Sequence, residues 1–97
     1  MEISQIREEL SQNIQKIDPI GNTLKFVLDD DIVLIDGTGT ENTISSDDAE
    51  ADCTIKMSRE TYGKLQRKEI KPMMATLTGK IKVKGNIAVA QKLKQLM

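Results

Sequence analysis

The sequence predicts an α+β fold, a mixed β-sheet with helices packed on one face, and three observations carry that prediction. Apolar residues recur first at helical spacing, then in short alternating stretches, and alternate once more between helical stretches late in the chain. Turn-forming residues punctuate each change of period, at Pro19 and Gly21, at Asp29 to Asp31, at Asp36 to Gly39 and at Gly79. Strands gathered early, with one returning after helices, make a sheet that helices cover on one side.

Taken in order, Ile3, Ile6, Leu10, Ile14 and Ile17 fall on one narrow stripe at 100° per residue, so residues 2–17 read as an amphipathic helix. Pro19 cannot continue its hydrogen-bond ladder, and Gly21 accepts the left-handed conformations of a turn. Residues 23–28 and 32–35 flank Asp29-Asp30-Asp31 and read as an antiparallel hairpin. A weak strand near Glu41 to Ile44 and an acidic loop from Ser45 to Glu50 follow. Cys53, Ile55 and Met57 then alternate with Thr54 and Lys56 as a half-buried strand.

Ser58 precedes Arg59-Glu60-Thr61 as an N-cap, with Tyr62 and Leu65 at i and i+3 of a short helix. Pro72 suits the first position of another short helix carrying Met73, Met74 and Leu77, which Gly79 stops. Ile81 and Val83 alternate with Lys80, Lys82 and Lys84, a strand with one apolar and one charged face. Asn86 caps a last helix whose apolar face is Val89, Ala90, Leu93, Leu96 and Met97, widened by Ile87. No internal repeat or interdomain linker interrupts this order, so residues 1–97 read as a single domain.

Composition narrows the chemistry. The 97 residues hold five Met, one Tyr, one Phe and no Trp, so the core is aliphatic and adaptable. No His and a single Cys remove the commonest general base, most zinc sites and any intrachain disulfide. Cys53 in a strand reads as a small buried hydrophobe rather than a reactive thiol. No apolar run approaches the roughly 20 residues needed to cross a bilayer, and the N-terminus is not a signal peptide, so the expected compartment is the cytoplasm.

Several motifs fall to plainer readings. Asp29-Asp30-Asp31 and the group Asp47, Asp48, Glu50 and Asp52 lack EF-hand spacing and read as solvated turns, so neither a metal nor a cofactor is expected. Gly37-Thr38-Gly39 and Gly79 to Gly85 do not have phosphate-loop spacing. Charge is divided: residues 1–55 carry thirteen acidic and three basic side chains, residues 56–97 eleven basic and two acidic. The expectation is that the two halves neutralise each other in the fold, the alternative being transient contact of the basic half with an anionic membrane surface. Nucleic acid is not expected, because the basic region has a single aromatic residue, Tyr62, and so no set of rings to stack on bases.

Residues 51–65 resemble the strand-to-helix segment of the sterol carrier protein type-2 family, where A-D-x-T precedes an alternating strand and an S-x-E helix start. Residues 79–96 are similar to its G-K-[LI]-K-[IV]-x-G-[ND] strand running into the final helix. Between them, Ala75 and Gly79 match a P-x-x-A…G-K segment. Thr76 stands where many relatives have an aromatic residue, and Arg67-Lys68 replaces a usual glycine. The chain ends Gln-Leu-Met, not in a Ser-Lys-Leu peroxisomal address.

The resemblance implies a mixed sheet of about five strands and an apolar tunnel that takes up lipids. Carried over by position, the lipid-binding residues would be Met73, Met74, Leu77, Ile81, Val83, Ile87, Ala90 and Gln91. The function expected is non-catalytic binding or transfer of a fatty acid, acyl-CoA or similar ligand. The alternative is a protein-interaction module with a closed tunnel, self-associating as a homodimer. Enzymatic activity is not expected, since no nucleophile and base pair is evident.

Overall fold

The computed structural model describes residues 2–91. Its order is α1 (Ile3–Ile14), β1 (Thr23–Leu28), β2 (Asp31–Asp36), β3 (Thr43–Ser45), β4 (Cys53–Met57), α2 (Arg59–Gln66), α3 (Pro72–Leu77), β5 (Lys82–Gly85) and α4 (Ile87–Gln91). The strands form one sheet in the order β3-β2-β1-β4-β5. Only β1 and β4 run parallel; the other neighbours are antiparallel. The sheet is therefore mixed, as expected from the sequence. Positions Leu93, Leu96 and Met97, expected on the last helix, lie outside the described residues.

Register places the apolar side chains together. Leu24 lies between Ile35 and Cys53, and Phe26 between Val33 and Ile55, so the inward positions of three strands form one continuous surface. Ile6, Leu10 and Ile14 of α1, Tyr62 and Leu65 of α2, Ala75 of α3 and Val89 of α4 pack with that surface in a single core. Phe26 and Tyr62 meet edge to face, with ring centroids 6.4 Å apart, the arrangement that ring quadrupoles favour. The opposite face carries Thr23, Lys25, Thr54 and Lys56, and the acidic loop is tied to it by Lys25 and Asp48, 2.9 Å apart.

Two boundaries differ from the sequence reading by two residues or more, for one physical reason. The first helix ends at Ile14, three residues before the end of its apolar stripe. The buried Asn42 takes over there: its Nδ2 donates to the carbonyls of Ile14 and Asp18, and its Oδ1 accepts from the Ile20 amide at 3.0 Å. This side chain supplies hydrogen bonds that another helical turn would otherwise have made, so the chain can leave the helix without stranding buried polar groups. Asn42 also delays β3, which begins at Thr43 rather than Glu41. Gly37 is required beside it, because a Cβ there would come within 2.5 Å of Asn42 Oδ1.

Other polar contacts fasten the sheet to its helices. Ser58 caps α2 by accepting from the Thr61 amide at 3.0 Å, as its position in the sequence predicts. Asp29, with φ of 57°, accepts from both the amide and Nε of Arg59 at the start of the same helix. Asp52 joins three elements. Its carboxylate accepts from Asn22 and from the Thr23 amide, while its carbonyl accepts from the Asn86 amide. Asp29 and Asp52 are exposed turn and bend residues, as expected, and they also act as clasps.

Candidate functional site

A cleft of about 390 Å³ opens where β4, β5, α2, α3 and α4 meet, lined by Ile55, Leu65, Gln66, Lys68, Pro72, Thr76, Ile81, Val83, Ala90 and Gln91. Its position follows from local structure. Lys68 takes a left-handed conformation, φ of 59°, and its amide and that of Glu69 bond back to Leu65 and Lys64, closing α2 and turning the chain toward α3. Pro72 and Thr76, four residues apart, turn the same side of α3 to the cleft. The amides of Lys80 and Ile81 both bond to the Ala75 carbonyl, which tucks Ile81 under the helix and buries it. Val83 sits opposite Ile55 in the β4–β5 ladder, so the two side chains share the sheet face that floors the cleft. Asn86 caps α4 through the Ala88 amide at 3.0 Å and presents Ala90 and Gln91.

Apolar side chains form the walls, and polar groups are few. Thr76 returns its hydroxyl to the Pro72 carbonyl, 2.9 Å away. Gln66 donates to the Tyr62 hydroxyl, 2.9 Å away. Burial pushes the Tyr62 pKa up to about 12, so this phenol is neutral at ordinary pH. Burial likewise raises the pKa of the Cys53 thiol, which is fully buried and therefore a poor thiolate. Among the described residues, Lys68 is the one charged residue that lines the cleft. Among the described residues, no three His, Cys, Asp or Glu side chains are grouped to hold a metal, and no helix is long and apolar enough to cross a membrane. A larger hollow of about 490 Å³ between α1 and α2 is lined by Gln5, Glu9, Gln12, Asn13, Gly63, Gln66 and Arg67, polar residues and a glycine.

Of the residues carried over from the resemblance, Ile81, Val83, Ala90 and Gln91 line this cleft. Met73, Met74, Leu77 and Ile87 stand outside it, exposed on the same elements. The reason is the brevity of α3. In six residues its inward stripe is taken by Ala75, Pro72 and Thr76, which leaves the methionines to solvent. Ile55 and Leu65, which sequence reasoning did not name for the site, were readable as inward positions of a strand and a helix. Gln66 and Lys68 carried no such signal, because only the turn after α2 brings them to the cleft.

This arrangement defines a class, an α+β fold in which helices on one face of a five-stranded mixed sheet enclose an apolar cleft. Residues 3–97 match the SCP-2 sterol transfer family, and the chain belongs to that family. The sterol carrier protein 2 like 2 of Aedes aegypti has the same fold, with a TM-score of 0.75 and 18% identity over 98% of this chain and 95% of that one. Sterol carrier protein 2 of Yarrowia lipolytica in its apo form gives 0.69 and 19%, covering 98% and 77%. A hydroxysteroid dehydrogenase-like protein 2 of Rattus norvegicus is 47% identical over 47 residues, 48% of this chain but 9% of that protein's length.

Proposed function

We propose that the chain binds and carries lipid-like molecules, such as a fatty acid or acyl-CoA, in the cleft between α2, α3, β5 and α4, without carrying out a reaction on them. The observation that carries this reading is the apolar lining of Ile55, Leu65, Ile81, Val83 and Ala90 in a chain of this family. Each methylene moved from water into such a lining contributes about 0.8 kcal/mol, so an alkyl chain offsets the cost of its own immobilisation without a covalent step. Gln66, Lys68 and Gln91 are the polar groups available to a carboxylate or phosphate end. A volume of about 390 Å³ lies toward the small end of ligand pockets, which favours one alkyl chain over a bulky ring system.

Native mass spectrometry of protein purified gently from a lipid-containing host tests the proposal, with organic extraction of whatever is carried. A stoichiometric adduct of lipid mass is expected, and it should disappear in Val83→Trp, where an indole would fill the cleft. A bare mass that stays bare after incubation with fatty acids and acyl-CoA would sink the idea.

A further inference from the structure

The helices pack on one face of the sheet, and the strand register decides what the other face carries. Thr23, Lys25 and Val27 of β1 point away from the core, beside Asp36, Leu34 and Ile32 of β2. On their other side Lys25 neighbours Thr54 and Val27 neighbours Lys56. Beyond β4, Lys84 stands next to Thr54 and Lys82 next to Lys56. This face has two unlike halves. Residues 46–52 must pass β2 and β1 to join β3, at one edge, to β4. They cross on this side, because Asp48 meets Lys25 at 2.9 Å and leaves the lysine side chain only 15% exposed. Leu34 is buried there too, although the helices pack on the opposite face. Asp47 and Glu50 lie exposed on the crossing segment, whereas Lys56, Lys82 and Lys84 stand exposed on the uncovered half.

These charges are left open within the chain. Among the described residues the ion pairs are Lys25–Asp48, Arg59–Asp29, Lys64–Glu60 and Arg67–Glu69, and none of them engages the three lysines, Asp47 or Glu50. Asp29 shares a hollow with Lys56 and Lys82 but is held by Arg59. Lys56 lies directly opposite Lys82 across β4 and β5, a like-charge pairing that disfavours the ladder unless an anion relieves it.

We propose that this face joins two copies of the chain in an isologous dimer. A two-fold axis along the strands, between β1 and β4, lays the acidic crossing segment of one copy over the bare lysine half of the other, and the reverse at the same time. Charge and shape then agree. Asp47 and Glu50 approach the partner's Lys56 and Lys82, and the raised segment fills the step left over β4 and β5. The face itself specifies this occupant, because it carries both signs; a purely acidic partner would set like charge against Asp47 and Glu50. Five strands about 4.8 Å apart, the longest of six residues, offer roughly 500 Å² per copy. That is less than the roughly 800 Å² per partner of stable complexes, so the dimer is weak and exchanges readily. Both clefts stay on the outer sides of the pair, and the dimer does not depend on what they hold.

Sedimentation equilibrium of the full chain at rising concentration tests the proposal. A dimer is expected at low salt, with a dissociation constant that rises severalfold at high salt as the charges are screened. Lys56→Glu/Lys82→Glu and Asp47→Lys/Glu50→Lys should each weaken association at least about tenfold, since each sets like charges together. Mixed in equal amounts, the two variants should dimerise again, because each presents the charge the other now lacks. Lys16→Glu/Lys71→Glu, an equal reversal on the helix side, should change little. All these positions are exposed, and circular dichroism verifies that each variant is folded. A monomer at every concentration, a dimer indifferent to the reversals on the sheet face, or a mixture that stays monomeric would overturn the proposal. A dimer lost instead in Met73→Ser/Leu77→Ser would overturn it in favour of association through α3.

Discussion

Asn42 and Tyr62 carry more of the structure than their place in the sequence suggests. Asn42 looks like an ordinary loop asparagine, yet four backbone groups from Ile14 to Ile20 bond to its amide. Removing that amide strands buried donors and acceptors, at about 1–3 kcal/mol for a set left unpaired. Asn42→Ala is therefore expected to lower the free energy of urea unfolding by about 2–3 kcal/mol. Tyr62 predicts an alkaline limb. A phenol held at about 12 when folded keeps its proton more tightly than at its ordinary 10.0, so the stability it contributes is complete below pH 10 and is lost as pH climbs toward 12. Two pH units correspond to about 3 kcal/mol. Tyr62→Phe should lose correspondingly less stability than the parent between pH 10 and pH 12, measured by urea titration at each pH.

Among the elements, β5 depends most on a single backbone position. Gly85 closes the strand at φ of 100°, and a Cβ there would lie 2.4 Å from the Asp52 carbonyl oxygen. Gly79, at φ of 78°, ends α3 with nothing within 4 Å of such a Cβ. Both need a conformation that side-chain-bearing residues disfavour, but only Gly85 also meets a wall. Gly79→Ala should cost about 1–2 kcal/mol and Gly85→Ala several times that, enough to detach β5 from β4. Thermal melts of the two variants, with amide exchange at Cys53 to Lys56 for the second, provide the comparison. Similar costs at the two positions would mean that β5 is not held by this close approach. Helix α3 shows the opposite case. With Ala75 as its buried residue, it is anchored through the carbonyl that receives Lys80 and Ile81 rather than through apolar packing.

At the scale of the molecule, helices and sheet share one core, so an occupant of the cleft should stabilise all of it. A ligand that binds only the folded state adds about 2.7 kcal/mol when its free concentration is a hundred times its Kd. For a domain of roughly a hundred residues, each kcal/mol moves Tm by about 4–8 °C. Delipidated protein is accordingly expected to gain at least about 10 °C with a saturating fatty acid, and Val83→Trp none. An unchanged parent Tm would argue that the cleft takes no such ligand.

The sequence by itself determined the elements and their faces, because helical and strand periods, caps and turn residues act within a few residues of one another. β1 and β4 fall where alternation places them, and Ser58, Pro72 and Asn86 begin helices as their local chemistry requires. The motifs in residues 51–65 and 79–96 sufficed to place the chain in its family before any geometry was known. Tertiary structure alone decided which apolar residues face a cleft and which face water. Met73 and Ile81 are equally apolar as letters, but one stands in solvent and the other lies buried, because the Ala75 carbonyl pulls the chain beneath α3. It also decided which charges meet, bringing Arg59 of the basic half to Asp29 of the acidic half. Sheet pairing carries the acidic loop from β3 across to β4, so that Asp48 meets Lys25 and the Asp52 carbonyl receives the Asn86 amide beyond β5, contacts that arise from long-range pairing and leave no trace in local sequence.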